Sequence, residues 1–232
     1  DLHSFPTRRS SDLTLYLETL EVGYGISLRP LSTLAMTCYS EDPCAEFHPK
    51  DNGEDVHEDE MELARMHKAA AILQFKLEGQ LLKRHPEYNM EARRLLHGIN
   101  FEKGTVMVEG EEYALRSCHF PTIDPADPYA LTALEREVMD RLVLEFAHSE
   151  KLQRHVQFLY STGGMYLRCN GNLLYHGSIP MEEDGSFAAV PVSSGEKLCG
   201  RAAIDAADLL ARKGYFSNLG TASRQNGQDF LW

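Results

Sequence analysis

The sequence lacks the features that mark membrane, secreted or nucleic-acid-binding proteins. It has no run of eighteen apolar residues and no apolar signal-peptide core near its first residue. Basic residues are scarce, 23 against 35 acidic ones, and the resulting net charge of −12 argues against binding to nucleic-acid phosphates. We therefore expect a cytoplasmic protein with neither a nucleic-acid partner nor a membrane partner.

Cysteine patterns and the common nucleotide or nucleophile motifs are also missing. The five cysteines are odd in number and form no C-x-x-C pair, which disfavours both a disulfide framework and a zinc site. No G-x-x-x-x-G-K-[ST], G-x-S-x-G or G-x-G-x-x-G occurs. P-loop, serine-hydrolase and dinucleotide-binding functions are therefore disfavoured.

Apolar periodicity predicts helices through much of the chain. A short helix is predicted over Leu31 to Tyr39, and alanine-rich Arg201 to Gly214 is predicted to be helical. Asn89 is predicted to cap a short helix that runs to Leu96. Three longer helices are indicated by 3-and-4 spacing of apolar residues: Leu63, Met66, Ala70, Leu73, Leu77 and Leu81; then Leu131, Leu134, Val138, Leu142 and Phe146; then Leu152, Val156 and Leu159.

Strands are predicted at three places, and one of them carries the main site candidate. Thr105 to Arg116 reads as a hairpin around Gly110, and Phe187 to Val192 as a single strand. Met165 to His176 reads as two strands around Asn-Gly, the dipeptide that suits a type I′ turn. His176 ends the second strand and is followed by Gly177, so its imidazole is placed to face a cleft. Neutral imidazole is a common ligand of divalent metals, although a lone strand-end histidine is more often a hydrogen-bonded surface residue.

Several ordered segments resemble one enzyme family. They are Tyr24–Leu31 (YGISLRPL), Gln74–Glu78 (QFKLE), Tyr88–Glu91 (YNME), His148–Leu152 (HSEKL) and Asn172–Pro180 (NLLYHGSIP). In this order the segments resemble the class 3, Firmicutes-type fructose-1,6-bisphosphatases of the calcineurin-like metallophosphatase superfamily. The likeness covers nearly all of the chain from Leu15 to Trp232.

The resemblance implies an enzyme that hydrolyses fructose 1,6-bisphosphate to fructose 6-phosphate and phosphate in gluconeogenesis. It implies a dinuclear manganese centre with ligands from D-x-H, G-D-x-x-D-R-G, G-N-H-D, a histidine motif and G-H-T-P. Of these, the chain carries the histidine motif, so His176 is its one predicted metal ligand, and we expect the chain alone to be inactive. Catalytic and substrate-binding residues are not assigned, and a homo-oligomer is left open for the intact parent.

The two ends of the sequence suggest an internal piece of that parent. Asp1 to Leu13 show no periodicity and match a translated sequencing adapter, so we expect residues 1–13 to be an artefact and the Asp1-x-His3 match to be accidental. The expected fold class is α+β: a mainly helical insertion with a small hairpin over 14–160, then strands of a truncated metallophosphatase α/β sandwich over 161–232.

Two other functions compete with this prediction. A non-enzymatic helical interaction module would suit the amphipathic helices and the acidic surface, and a phosphatase with another substrate would suit the histidine motif alone. The remaining histidines His57, His67, His85 and His97 are expected to be solvated. Arg154 and His155, beside Lys151, could meet a phosphate, but a solvated helix face is the simpler interpretation.

Overall fold

The computed structural model describes residues 17, 19–47, 60–175, 177–193 and 196–232, and the chain divides into two units. Unit 1 comprises residues 1–84 and 90–152, and unit 2 comprises residues 85–89 and 153–232. None of the described helices combines the length and the apolar composition needed to cross a bilayer. The predicted domain boundaries after residues 13 and 160 stay predictions.

In its described part, unit 1 is built on three α-helices and one small sheet. The helices are α1 (Arg29–Cys38), α2 (Glu60–Arg84) and α3 (Ala133–His148), and α4 (Glu150–Thr162) begins in this unit. Strands β1 (Ile99–Asn100), β2 (Thr105–Val108) and β3 (Glu111–Ala114) form an antiparallel sheet in that order. The predicted hairpin around Gly110 is confirmed by the β2–β3 register, which pairs Val108 with Glu111.

The core of unit 1 lies where α1, α2 and α3 meet. Leu31 and Leu34 of α1 pack with Leu63 and Leu73 of α2 and with Val138 of α3, and all five are buried. These positions follow the predicted apolar stripes, so the helices are held by burial of their apolar faces. The predicted second long helix is α3, and Thr132 and Glu135 make a reciprocal capping box at its start.

A buried ion pair joins α2 to α3. The ammonium of Lys76 lies 2.7 Å from Glu135 Oε2 and 2.5 Å from the carbonyl oxygen of Thr122, and it has no exposed surface. The Thr122 hydroxyl lies 3.2 Å from the phenol oxygen of Tyr39 on the segment that follows α1. A buried ammonium is tolerated only when such partners neutralise and hydrogen-bond it, so this contact fixes three distant segments together.

A second buried pair holds the loop after α1. Lys68 of α2 lies 2.5 Å from Asp42 Oδ2, and both side chains are 2% exposed. Burial alone would raise the pKa of Asp42. Hydrogen bonds from Lys68, from the backbone N–H of Cys44 and from His119 outweigh burial and hold that pKa well below its usual range.

Residues 85–98 differ from the prediction of a helix capped by Asn89. Asn89 has a φ of 58° and ends a 3-10 turn over Pro86–Tyr88, and two further 3-10 turns span Glu91–Arg93 and Leu96–Gly98. The Arg93 guanidinium bonds to the buried carboxylate of Glu78 on α2. That long-range ion pair draws the segment against α2 in short turns, and a continuous helix does not form.

In its described part, unit 2 contains three α-helical segments and two hairpins. After residue 153 it continues α4, followed by β4 (Tyr166–Cys169), β5 (Asn172–Tyr175), β6 (Val190–Ser193), β7 (Glu196–Leu198), α5 (Gly200–Phe216) and α6 (Ala222–Leu231). The strand predicted over Phe187 to Val192 is shorter than expected. Phe187 makes only an isolated bridge with Met181, and the strand begins at Val190.

Helices α5 and α6 approach each other through two glycines. A Cβ placed on Gly227 would lie 2.5 Å from the Cα of Gly214, so neither position has room for a side chain. Arg212 of α5 donates to the carbonyl oxygens of Tyr160 and Gly163 at the end of α4, and the Tyr160 and Tyr215 rings stack with centroids 4.5 Å apart. Unit 2 is thus held by close helix packing and by one arginine. With unit 1, it confirms the predicted α+β class.

We expect Lys76→Ala to lower the free energy of unfolding by about 3–5 kcal/mol, because it leaves Glu135 buried without a counter-charge. Urea denaturation followed by far-UV circular dichroism measures the change. The matched control is Lys103→Ala, whose ammonium is 66% exposed and 3.9 Å from Glu112, and which should cost less than about 1 kcal/mol. Equal losses in the two variants would contradict the structural role of Lys76.

We expect the stability difference between the parent chain and Asp42→Asn to depend on pH. Because the folded-state pKa of Asp42 is depressed, its stabilisation is complete above the ordinary aspartate value of about 3.9 and is lost as the pH falls toward the folded-state pKa. The two unfolding free energies should therefore converge in acid. Glu102→Gln, at an exposed carboxylate, controls for the lost charge. A pH-independent gap for Asp42→Asn would rule out the effect.

Candidate functional site

The β4–β5 hairpin that leads to His176 has the predicted turn. Asn170 and Gly171 have φ angles of 50° and 78°, and Cys169 pairs with Asn172 across the two-residue loop. Positive φ at both central positions is the type I′ geometry, which matches the twist of the flanking strands. The hairpin prediction is therefore confirmed, and Tyr175 is the last residue of β5.

His176 itself lies outside the described residues, as do Asp1, His3 and His57. Its neighbours are described: Tyr175 pairs with Tyr166, and Gly177 has a φ of 87°. Gly177 thus has a left-handed backbone conformation that favours glycine, and the metal-ligand role of His176 stays a prediction.

The segment after His176 folds back on itself in a small loop. Ala188 N–H donates to the Pro180 carbonyl oxygen at 3.0 Å, and Glu182 N–H donates to the Ser186 carbonyl oxygen at 2.8 Å. Hydrogen bonds from the Ser186 hydroxyl and N–H lower the pKa of the exposed Asp184 carboxyl. The loop is thus ordered by its own backbone and places three carboxylates, those of Glu182, Glu183 and Asp184, at the surface.

An apolar cleft lies between the hairpin and α5. Its volume is about 240 Å³, and its wall includes Tyr166, Leu173 and Tyr175 of the hairpin with Phe187 and Ile204. The inner hairpin face that carries Tyr166 and Tyr175 lines this cleft. On the opposite face Leu167 pairs with Leu174, and these side chains are 59% and 53% exposed.

No metal cluster is formed by the described residues alone. Across the described ranges no group of three or more His, Cys, Asp or Glu side chains could hold an ion. The described donors therefore do not fit a dinuclear centre. Any such centre would take its other ligands from outside the described residues.

Two histidines predicted to be solvated are instead packed inside the protein. His67 of α2 packs edge-on against Phe47 with ring centroids 5.0 Å apart; burial lowers the pKa of its imidazole, and its Nδ1 is buried without a partner. His85 in unit 2 lies 2.9 Å from Asp229 Oδ2 on α6 and stacks on Tyr88. The solvated interpretation was wrong for both, because Phe47 and Asp229, which cover them, are distant from them in the sequence.

The remaining candidates are two exposed basic residues of α4 and one histidine that follows the β2–β3 hairpin. Arg154 and His155 are exposed on α4, in agreement with the solvated interpretation. His119 was not singled out from the sequence, yet its Nδ1 lies 2.8 Å from the buried Asp42. No local pattern could have identified it, because the two residues are 77 positions apart.

Comparison with known proteins assigns the family. A family model described as Firmicute fructose-1,6-bisphosphatase matches residues 9–232. Relatives named fructose-1,6-bisphosphatase class 3 are 48% identical in Alkaliphilus metalliredigens, 48% in Bacteroides thetaiotaomicron and 46% in Listeria monocytogenes. The first two alignments cover 93% of this chain and 33% of the relative, and the third covers 97% and 34%.

The chain therefore spans about a third of the length of these curated relatives. No solved structure matches it. The match to the family model extends over almost the whole chain and agrees with the motif order read from the sequence. The chain belongs to the Firmicute fructose-1,6-bisphosphatase family.

Proposed function

We propose that this chain is one part of a metal-dependent fructose-1,6-bisphosphatase that hydrolyses fructose 1,6-bisphosphate to fructose 6-phosphate and phosphate in gluconeogenesis. The observation that carries the proposal is family membership over residues 9–232, with relatives of that name 48% identical over 93% of the chain. The relatives are about three times as long. Most of the catalytic groups would then be supplied by polypeptide that this chain does not contain.

In the proposed enzyme, His176 is a ligand of a dinuclear manganese centre. When bound, such a centre would supply charge stabilisation for a phosphate and an activated water. The contribution of this chain would be positional: the type I′ turn at Asn170 and Gly171 fixes the register of β5, and His176 is the next residue of the sequence after β5. The enzyme would be cytoplasmic, with a sugar bisphosphate as its substrate partner, and a homo-oligomer is compatible with the proposal.

The finer fold proposal is that β4 and β5 belong to a larger calcineurin-like α/β sandwich. Both faces of this hairpin carry large apolar or aromatic residues, with Tyr166 and Tyr175 beside Arg168 on one and Leu167 and Leu174 beside Asn172 on the other. A hairpin that is exposed to water on one face normally carries polar residues there, whereas a strand pair buried on both faces does not. The apolar outer face therefore supports a covered position in the longer protein.

The distribution of apolar residues in unit 2 supports the same proposal. In its described part, only Val192, Ala203 and Ala211 are buried hydrophobic residues. Fourteen large hydrophobic side chains are exposed: Phe158, Leu159, Met165, Leu167, Leu173, Leu174, Tyr175, Met181, Phe187, Leu209, Phe216, Leu219, Leu231 and Trp232. Exposure on this scale is typical of a surface that another segment covers.

The competing interaction-module hypothesis is less well supported. It expects a helical bundle with its own compact core, and unit 2 instead contains two hairpins and few buried apolar residues. A phosphatase with another substrate is disfavoured by the relatives, since those named above carry the fructose-1,6-bisphosphatase name.

We expect His176→Ala to remove phosphatase activity when the chain is extended on both sides with its own flanking coding sequence. Loss of a metal ligand should lower bound manganese and fructose 1,6-bisphosphate hydrolysis at least about 100-fold. Metal content by mass spectrometry and phosphate release measure the two effects. His155→Ala, at an exposed histidine of α4, is the matched control. Flanking sequence without D-x-H, G-D-x-x-D-R-G, G-N-H-D and G-H-T-P motifs, or an active His176→Ala variant, would refute the assignment.

We expect the 232-residue chain to bind the apolar dye ANS through unit 2. Leu167→Lys with Leu174→Lys should lower the dye fluorescence about twofold or more, because charge on the outer hairpin face breaks the apolar patch. The control is Val22→Lys with Met107→Lys, which adds the same charge at exposed apolar positions of unit 1. If both double variants change the fluorescence equally, the hairpin face is not the exposed patch.

A further inference from the structure

A cavity in unit 1 has a lining more basic than the rest of this acidic chain. Its volume is about 310 Å³, and its wall includes Gln80 and Lys83 of α2, Arg94 and His97 of the 3-10 segment, and Asp127 and Tyr129. That size lies at the lower end of the range for small-molecule sites. The cavity wall therefore has two cationic side chains and an imidazole but only one carboxylate, although the net charge of the whole chain is −12.

Tyr129 forms a fixed wall of this cavity. A Cβ added to Gly79 would lie 2.1 Å from the Tyr129 ring, so the ring packs directly on the backbone of α2. The Gln80 side-chain amide donates to the Tyr129 carbonyl oxygen at 2.7 Å. The phenol is buried, burial raises its pKa, and it therefore stays a neutral hydroxyl near neutral pH.

The phenol of Tyr129 also contacts His97. The backbone N–H of His97 donates to the phenol oxygen at 3.4 Å, and the same oxygen lies 2.9 Å from His97 Nδ1. A phenol can accept the backbone proton and donate its own proton to Nδ1 at the same time. In that tautomer Nε2 carries the ring proton and is a hydrogen-bond donor on an exposed side chain.

The side chains of Lys83 and Arg94 each have N–H groups without an acceptor among the described residues. The Arg94 guanidinium lies 5.0 Å from the Tyr129 ring centroid and bonds through Nη1 to Glu91 at 2.6 Å, but its Nε is buried without an acceptor. Lys83 is exposed and has no hydrogen-bond or ion-pair partner within the described ranges. A buried N–H without an acceptor is uncommon and calls for an explanation, such as an ion that completes it.

We propose that this cavity binds a phosphoryl dianion, presented by inorganic phosphate or by a small phosphate monoester. Lys83, Arg94 and the Nε2–H of His97 form a donor set for three phosphate oxygens. The carboxylate of Asp127 repels an anion, and Glu91 neutralises part of the Arg94 charge. The small net positive charge that remains favours one small dianion over a polyanion. This site rests on the geometry of unit 1 and not on the proposed phosphatase function.

The test is titration of the isotope-labelled 232-residue chain with inorganic phosphate and, separately, with glycerol 3-phosphate, at constant ionic strength. Two-dimensional NMR should show saturable shifts of the His97 ring and of the amides around residues 80–97. The two titrations distinguish inorganic phosphate from a phosphate monoester as the ligand. Equal affinities indicate that the site recognises the phosphate group alone, and tighter binding of the ester indicates contacts to its organic part. Absence of saturable shifts with both probes would overturn the site.

Two charge-matched variants make the test specific. Lys83→Ala should weaken phosphate binding roughly tenfold, about 1.4 kcal/mol, because one charge-assisted contact is lost. Lys103→Ala removes the same charge elsewhere in unit 1 and should leave affinity within about twofold. Circular dichroism checks that both variants are folded. If Lys83→Ala is not folded, Lys83→Gln is used in its place. Equal weakening in the two lysine variants would show nonspecific attraction only and would reject the proposal.

Discussion

The neutralisation of two buried ammonium groups on α2 constrains the whole of unit 1. Lys68 and Lys76 are 2% and 0% exposed, and a buried lysine without a carboxylate would not stay charged inside the protein. Asp42 and Glu135 supply those carboxylates from sequence positions before and after α2. The loop after α1, the segment around Thr122 and the start of α3 must therefore converge on one face of α2.

Unit 2 is organised by a different principle. Its described interior has few buried apolar residues, and its helices meet through glycines and through hydrogen bonds of Arg212 to backbone carbonyl oxygens. Such contacts orient elements without supplying much hydrophobic free energy. The two units thus differ in how far their stability depends on further polypeptide. Unit 1 pairs its two buried ammonium groups with its own carboxylates, whereas the described part of unit 2 leaves apolar surface uncovered on the hairpin that precedes the candidate metal ligand.

Local features could be predicted from the sequence because their causes are local. The Asn170–Gly171 turn follows from the low cost of positive φ at those residues, and α2 follows from its apolar spacing. The buried charges on α2 could not be predicted, since the Lys76 partner lies 59 positions away. The same reason explains the wrong helix at Asn89, where Arg93 bonds across to Glu78. For the site, residue chemistry alone marked His176 only weakly, and the family motifs made it a specific hypothesis.

The glycine contact between α5 and α6 has a consequence for the order in which the chain acquires structure. Gly214 and Gly227 are close in the sequence, so their contact closes a short loop and can form as soon as both helices leave the ribosome. The Lys76–Glu135 contact must wait for a much longer stretch of chain. The α5–α6 pair should thus fold quickly once synthesised. The β4–β5 hairpin could then pack against a helix pair that is already folded.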